Sequence, residues 1–179
     1  KQSQRLHECM PEGKERVMTG SLPDNFPALV DRASREFGSI EAISDGDVSL
    51  NFAELGQQIR EAAGALVASG VHRGDRVAVW APNSWEWVVA AMAVFRVGGV
   101  LVPINTRFKG REAAFVLKKA DVKVLFTVVG FLGNDYVSDL RDSGEQVDSI
   151  KHVVVLRGDV PQGTVSFQDF LSRDSDVAR

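Results

Sequence analysis

The chain is poor in cysteine. Cys9 is the only one among 179 residues. No intrachain disulfide can form, and a lone thiol fits a reducing compartment, so a cytoplasmic location is expected. A basic excess is also missing. Lys and Arg number 21 against 24 Asp and Glu, for a net charge of −3. Without a basic stripe, no nucleic-acid partner is expected. No apolar run approaches the ~20 residues of a membrane span, and the longest are broken by Arg96, Pro103 or Gly130, so no transmembrane segment is expected. Residues 1–22 are mostly polar, have no apolar signal-peptide core, and read as a flexible tail or leader. Histidine is scarce: His7, His72 and His152 lie far apart, without helical ligand spacing. His7 and Cys9 supply two of the four ligands a structural metal site needs, so they read as part of a solvated tail. There is no G-x-x-x-x-G-K-[ST] phosphate loop, no G-x-G-x-x-G fingerprint and no G-x-S-x-G nucleophile elbow.

What is present is an ordinary globular composition, 44% hydrophobic and 25% charged. The length suits one domain, or one and a fraction. Phe26, Leu29, Val30, Ala33 and Phe37 recur at helical spacing. Asp45-Gly46-Asp47 between two short β-prone runs predicts a hairpin. Asn51 and Glu54 form a capping box ahead of a helix with the stripe Phe52, Leu55, Ile59, Ala62, Ala63 and Leu66.

The middle of the chain alternates. Arg76 to Trp80 is a nearly continuous apolar run, as in a strand buried on both faces. Pro82 breaks it, Ser84 caps a helix over Trp85 to Val97, and Val100 to Val102 is expected as a second buried strand. Arg111 to Ala120 reads as a helix and Val122 to Val128 as a third buried strand. A helix over Asn134 to Asp142, a strand over His152 to Leu156 and a last helical turn over Phe167 to Leu171 follow. Alternation with short connections predicts an α/β fold, a mostly parallel sheet with helices on both faces. Asp75 and Asp121 precede strands and serve turns.

Ligands of open parallel sheets gather beyond the carboxyl ends of the strands. That selects the loops Ala81 to Ser84 and Ile104 to Lys109. In the second, Arg107 carries a permanent cation whose rigid donor fork suits a phosphate. Lys109, Arg111, Lys118 and Lys119 add charge along the chain, and the helix starting near Gly110 is expected to turn free N–H groups toward an anion. The alternative is that Arg107 is a solvated loop residue or pairs with a carboxylate; on local chemistry alone this is the commoner role of a surface charge. Asn83 and Ser84 read more simply as a strand stop and a helix cap. Trp85 and Trp87 fall on different sides of their helix, so with Trp80 they read as packing residues rather than one stacking platform.

The ordered set Leu50 to Leu55, Gly70 to Ser84, Gly98 to Arg107 and Ala120 to Phe126 resembles the AMP-forming acyl-CoA synthetases of the adenylate-forming superfamily. The resemblance spans about Asp24 to Leu156. Phe131-Leu132-Gly133-Asn134-Asp135-Tyr136 is similar to ligases acting on fatty and steroid-derived acids. It implies an N-terminal fragment of an ATP-dependent ligase that joins a carboxylic acid to CoA with release of AMP and pyrophosphate. Residues 23–179 would form part of the N-terminal domain. ATP, Mg2+ and coenzyme A are implied for the full-length enzyme. None is expected to bind tightly to these residues alone, which are expected to be inactive, and a homodimer is compatible. Arg107, in Asn105-Thr106-Arg107, matches a family position associated with the coenzyme A nucleotide; no catalytic or metal-binding residue is carried over. A non-catalytic CoA- or nucleotide-binding module and a fatty-acyl-AMP ligase fragment stand as alternatives.

Overall fold

The structure, a computed structural model, describes residues 23–173. The expected tail at 1–22, with His7 and Cys9, and residues 174–179 lie outside the described residues. Asn25 opens the first helix, α1 (Phe26–Glu36), its Oδ1 accepting the Ala28 N–H at 2.9 Å. A hairpin of β1 (Glu41–Asp45) and β2 (Val48–Asn51) follows as a separate antiparallel pair. Asn51 then caps α2 (Phe52–Ala68): its Oδ1 accepts the Glu54 N–H, and Glu54 Oε2 accepts the Asn51 N–H, both at 2.9 Å. This is the box predicted from the Asn51–Glu54 spacing.

The remaining strands are β3 (Arg76–Trp80), β4 (Val100–Pro103), β5 (Val122–Phe131), β6 (Asn134–Asp135), β7 (His152–Arg157) and β8 (Val165–Ser166). They alternate with α3 (Trp85–Arg96), α4 (Gly110–Lys119), α5 (Tyr136–Asp142) and α6 (Phe167–Leu171). The main sheet has the order β4-β3-β5-β7-β8, parallel throughout, with β6 folded back antiparallel on β5.

Strand order decides which face each helix takes. The chain steps from β3 outward to β4, then back across β3 to β5. A right-handed crossover in each direction puts α3 and α4 on opposite faces. Contacts follow this rule: α1, α2, α3 and α6 pack among themselves, while α4 packs with α5. Between the layers, Val77, Ala78, Val79, Trp80, Val124 and Phe126 are fully buried, as the lack of alternation in these strands predicts.

Two expectations are corrected, and one short strand was not foreseen. The second strand is not buried: β4 lies at the sheet edge among the described residues, and Val100 is 48% exposed. An apolar triplet looks alike at the centre or the edge of a sheet; only strand order tells them apart. The fifth helix starts at Tyr136 rather than Asn134, because Asn134 pairs with Phe131. Asp135 is the cap, its Oδ1 accepting the Val137 and Ser138 N–H groups at 2.9 and 3.0 Å. β8 is two residues long, too short to leave a periodic signal.

Candidate functional site

Because β3 sends its chain to one face and β4 to the other, their carboxyl ends splay apart and leave a crevice. A cleft of about 420 Å³ opens there, lined by Pro82, Asn83 and Trp87 on one side and Ile104, Asn105 and Thr106 on the other. The two loops selected from the sequence are therefore neighbours across one opening.

The backbone of the second loop is held along its length. The Ile104 N–H donates to the Val79 carbonyl at 2.9 Å. The Trp80 indole Nε1 donates to the Asn105 carbonyl at 3.2 Å, and the Tyr136 hydroxyl donates to the Thr106 carbonyl at 2.9 Å. Asn105 Oδ1 accepts the Arg107 N–H at 2.9 Å, and the Phe108 N–H returns to the Asn105 carbonyl at 3.0 Å. The Lys109 N–H ends on Glu112 Oε2 at 2.9 Å. Trp80 and Tyr136 stack with ring centroids 4.4 Å apart, and both are buried. Burial pushes the Tyr136 phenol above its ordinary range.

Arg107 projects from this fixed backbone. It is exposed, and its guanidinium has no hydrogen-bonding or ionic partner among the described residues. Three of the other expected cations, Lys109, Lys118 and Lys119, are engaged elsewhere. Lys109 Nζ donates to Asn134 Oδ1 at 3.2 Å. Lys118 pairs with Glu145 at 2.5 Å, and Lys119 lies over the Phe115 ring. At 1.5 Å rise per residue, Lys118 sits about 12 Å along α4 from Gly110, too far to act at the loop. The N-terminus of α4 is not an open anion site either. Glu112 already supplies a carboxylate there, and Gly110 is buried so closely on the Asp139 carbonyl that a β-carbon would have no room.

Ser84 does what its position predicts: its Oγ accepts the Trp87 N–H at 3.2 Å and caps α3. Trp87 lines the cleft, whereas Trp85 meets Phe167 edge-on at 6.0 Å and lines a separate groove of about 670 Å³. The two rings serve different sides of α3, as their spacing predicts. His72 is exposed beside Asp75, whose Oδ2 accepts the His72 N–H at 2.9 Å. Asp121 pairs with Arg76 and Lys123 at 2.6 and 2.9 Å.

Sequence reasoning missed a charge triad beside the second groove. Arg157, at the end of β7, donates from Nε to Glu86 Oε1 at 2.7 Å and also pairs with Asp45. Asp45 Oδ2 accepts the Trp85 N–H at 3.1 Å. That backbone donor, then Arg157, holds the Asp45 carboxyl below its ordinary range. Asp45 announced only a turn, and Arg157 is 112 positions away. The Trp80–Tyr136 pair was missed for the same reason; an apolar strand end and a tyrosine at a helix start carry no signal of their partner. Among the described residues no three His, Cys, Asp or Glu side chains gather as metal ligands. No helix is long and apolar enough to cross a membrane.

Comparison with known proteins bears on the family and the fold. The family of AMP-binding enzymes matches residues 30–177. The chain is similar to a 3-[(3aS,4S,7aS)-7a-methyl-1,5-dioxo-octahydro-1H-inden-4-yl]propanoyl:CoA ligase of Rhodococcus jostii (strain RHA1), 41% identical over 84% of this chain and 30% of the relative. It is similar to the mitochondrial medium-chain acyl-CoA ligase of Homo sapiens, 34% identical over 58% of this chain and 17% of the relative. In fold it matches an anthranilate CoA ligase in complex with anthranoyl-AMP, at TM-score 0.76 and 23% identity over 87% of this chain and 29% of that one. It also matches the N-terminal domain of FACL13 from Mycobacterium tuberculosis, at TM-score 0.70 and 21% identity over 84% of this chain and 36% of that one. The chain thus spans less than a third of the length of the curated relatives named here. With most of its residues matched, a mostly parallel sheet as expected and relatives named as CoA ligases, this chain belongs to the AMP-binding enzyme family.

Proposed function

We propose that these residues form the N-terminal part of an AMP-forming acyl-CoA ligase, and that the Arg107 loop supplies part of the surface for the nucleotide end of coenzyme A. The observation that carries the second half is the contrast within one loop: a backbone fixed from several sides and an exposed guanidinium with nothing to pair with among the described residues. A planar donor fork held in that way suits a phosphate monoester, which accepts two parallel hydrogen bonds. The 3′-phosphate of coenzyme A is such a group.

The proposed reaction of the complete ligase has two steps. A carboxylate oxygen of the acid attacks the α-phosphorus of ATP, and pyrophosphate departs. The sulfur of coenzyme A, having lost its proton, then bonds to the acyl carbon, and AMP departs with its oxygen. The first step is needed because a carboxylate is a poor acyl donor and AMP a far better leaving group than hydroxide. Stabilising the charge that develops on phosphorus requires fixed donors and cations. The described residues offer neither a phosphate loop nor a set of carboxylates for Mg2+, so no part of the ATP chemistry is assigned to them. By this reading the 179 residues alone make no thioester. The acid is proposed to be a fatty or steroid-derived acid; relatives named for a medium-chain acyl group and for a ring-bearing propanoyl group support a fatty or ring-bearing acid. A cytoplasmic location is supported by the single thiol, and light scattering tests the proposed homodimer.

Titrating the chain with coenzyme A and with dephospho-coenzyme A, followed by amide NMR shifts, tests the site. Shifts in residues 104–109 that depend on the 3′-phosphate and vanish in Arg107→Ala are expected. Equal responses to the two ligands remove the phosphate role. Thioester formed above blank from ATP, Mg2+, coenzyme A and a panel of acids removes the claim of inactivity.

A further inference from the structure

We infer that Tyr136, stacked on Trp80, is a positioning residue for the Arg107 loop: it fixes the backbone so that the guanidinium stands ready for an anion. The inference rests on the phosphate reading of Arg107 given above. Its own ground is different. Asn105 and Thr106, the two residues before Arg107, each give their carbonyl oxygen to a buried aromatic donor, the Trp80 indole at 3.2 Å and the Tyr136 hydroxyl at 2.9 Å. Those donors come from the end of β3 and the start of α5, a helix that packs on β5, the strand beside β3. Their rings stack at 4.4 Å and 20°, so each donor ring packs against the other.

Acceptors on the backbone, rather than on side chains, set the peptide planes themselves. With both planes set, the Asn105 side chain is in place to accept the Arg107 N–H. The loop is thereby ordered before any ligand arrives, and binding loses less conformational entropy. A buried hydroxyl needs some partner, but burial alone does not require one on the loop that carries Arg107.

Tyr136 is the only tyrosine of the chain. Tyr136→Phe keeps the ring stack and deletes the hydroxyl; Tyr136→Leu deletes both. Amide hydrogen exchange without ligand is measured first. In Tyr136→Phe, exchange at Arg107 and Phe108 is expected to rise by about three- to tenfold, the loss of one buried hydrogen bond, with the amides of β3 and β5 unchanged. The 3′-phosphate-dependent NMR titration is then expected to weaken by a similar factor, and further in Tyr136→Leu. Unchanged exchange at the loop overturns the inference, as does a general rise through the sheet. So does a loosened loop that answers the 3′-phosphate as the wild type does. A wild-type chain indifferent to the 3′-phosphate instead removes the Arg107 reading, and with it any anion for the loop to be set for; the exchange data still report whether Tyr136 holds the backbone.

Discussion

Arg157 donates from Nε to the carboxylate of Glu86 at 2.7 Å, tying the end of β7 to the first turn of α3 across 71 positions of chain. The Glu86 side chain is 6% exposed and the Arg157 side chain 45%. Asp45 completes the contact from the hairpin, so one guanidinium joins three elements. Removing Arg157 leaves a buried carboxylate whose second oxygen already lacks a partner among the described residues. Fully buried pairs cost about 3–5 kcal/mol to break in this way, and the half-exposed arginine lowers the figure here to about 2 kcal/mol. Urea unfolding of Arg157→Ala should show that loss. Glu86→Gln, which removes the buried charge, should cost less. A midpoint for Arg157→Ala equal to that of the wild type would remove the triad as a structural tie.

Gly110 admits no side chain. A β-carbon there would overlap the Asp139 carbonyl oxygen, a backbone atom that moves only if α5 moves. Gly110→Ala is expected to destabilise the chain by about 2–3 kcal/mol, at the upper end of ordinary overpacking. Thermal or urea unfolding measures it, and a loss under about 0.5 kcal/mol would mean that the α4–α5 contact is loose.

Ser84 separates capping from ligand binding. Its hydroxyl accepts the Trp87 N–H, so Ser84→Ala should cost about 1 kcal/mol of stability. The response of residues 104–109 to coenzyme A should stay as in the wild type. A selective loss of that response, with stability unchanged, would place Ser84 in the binding surface instead.

The phenol of Tyr136 is held above its ordinary value of 10.0, chiefly by burial. The native state then keeps this proton more tightly than the unfolded chain does. Its contribution is full below the unfolded value and is lost as pH rises from there through the folded value. As the chain's only tyrosine, it gives an alkaline absorbance titration that reports one group. Ionisation above pH 10, together with a falling unfolding midpoint over that same interval, is expected. A titration at the ordinary value would show a phenol open to water.

Much of the local geometry around the candidate site was legible in the sequence. The strand-ending Pro82, the caps Ser84 and Asn51, and the exposed Arg107 each announce themselves within three or four residues, because caps and turns are local hydrogen-bond problems. What failed to transfer was proximity. Lys118 and Lys119 follow Arg107 closely in sequence, yet the rise of α4 carries them away from it. Tyr136 lies 30 positions from Thr106, yet its hydroxyl ends on that carbonyl.

The order of residues by itself determined the longer elements, the caps Asn51 and Ser84 and the alternation that makes the sheet parallel, since periodicity and chain-local bonding act within one turn or strand. Only the tertiary structure decided that β4 is an edge, that the loops after β3 and β4 share a crevice, and that Trp80 and Tyr136 grip the backbone beside Arg107. Those facts depend on strand order and on the hand of each crossover. Both are set by how apolar faces are shared among elements far apart in the chain, which no local window of sequence contains.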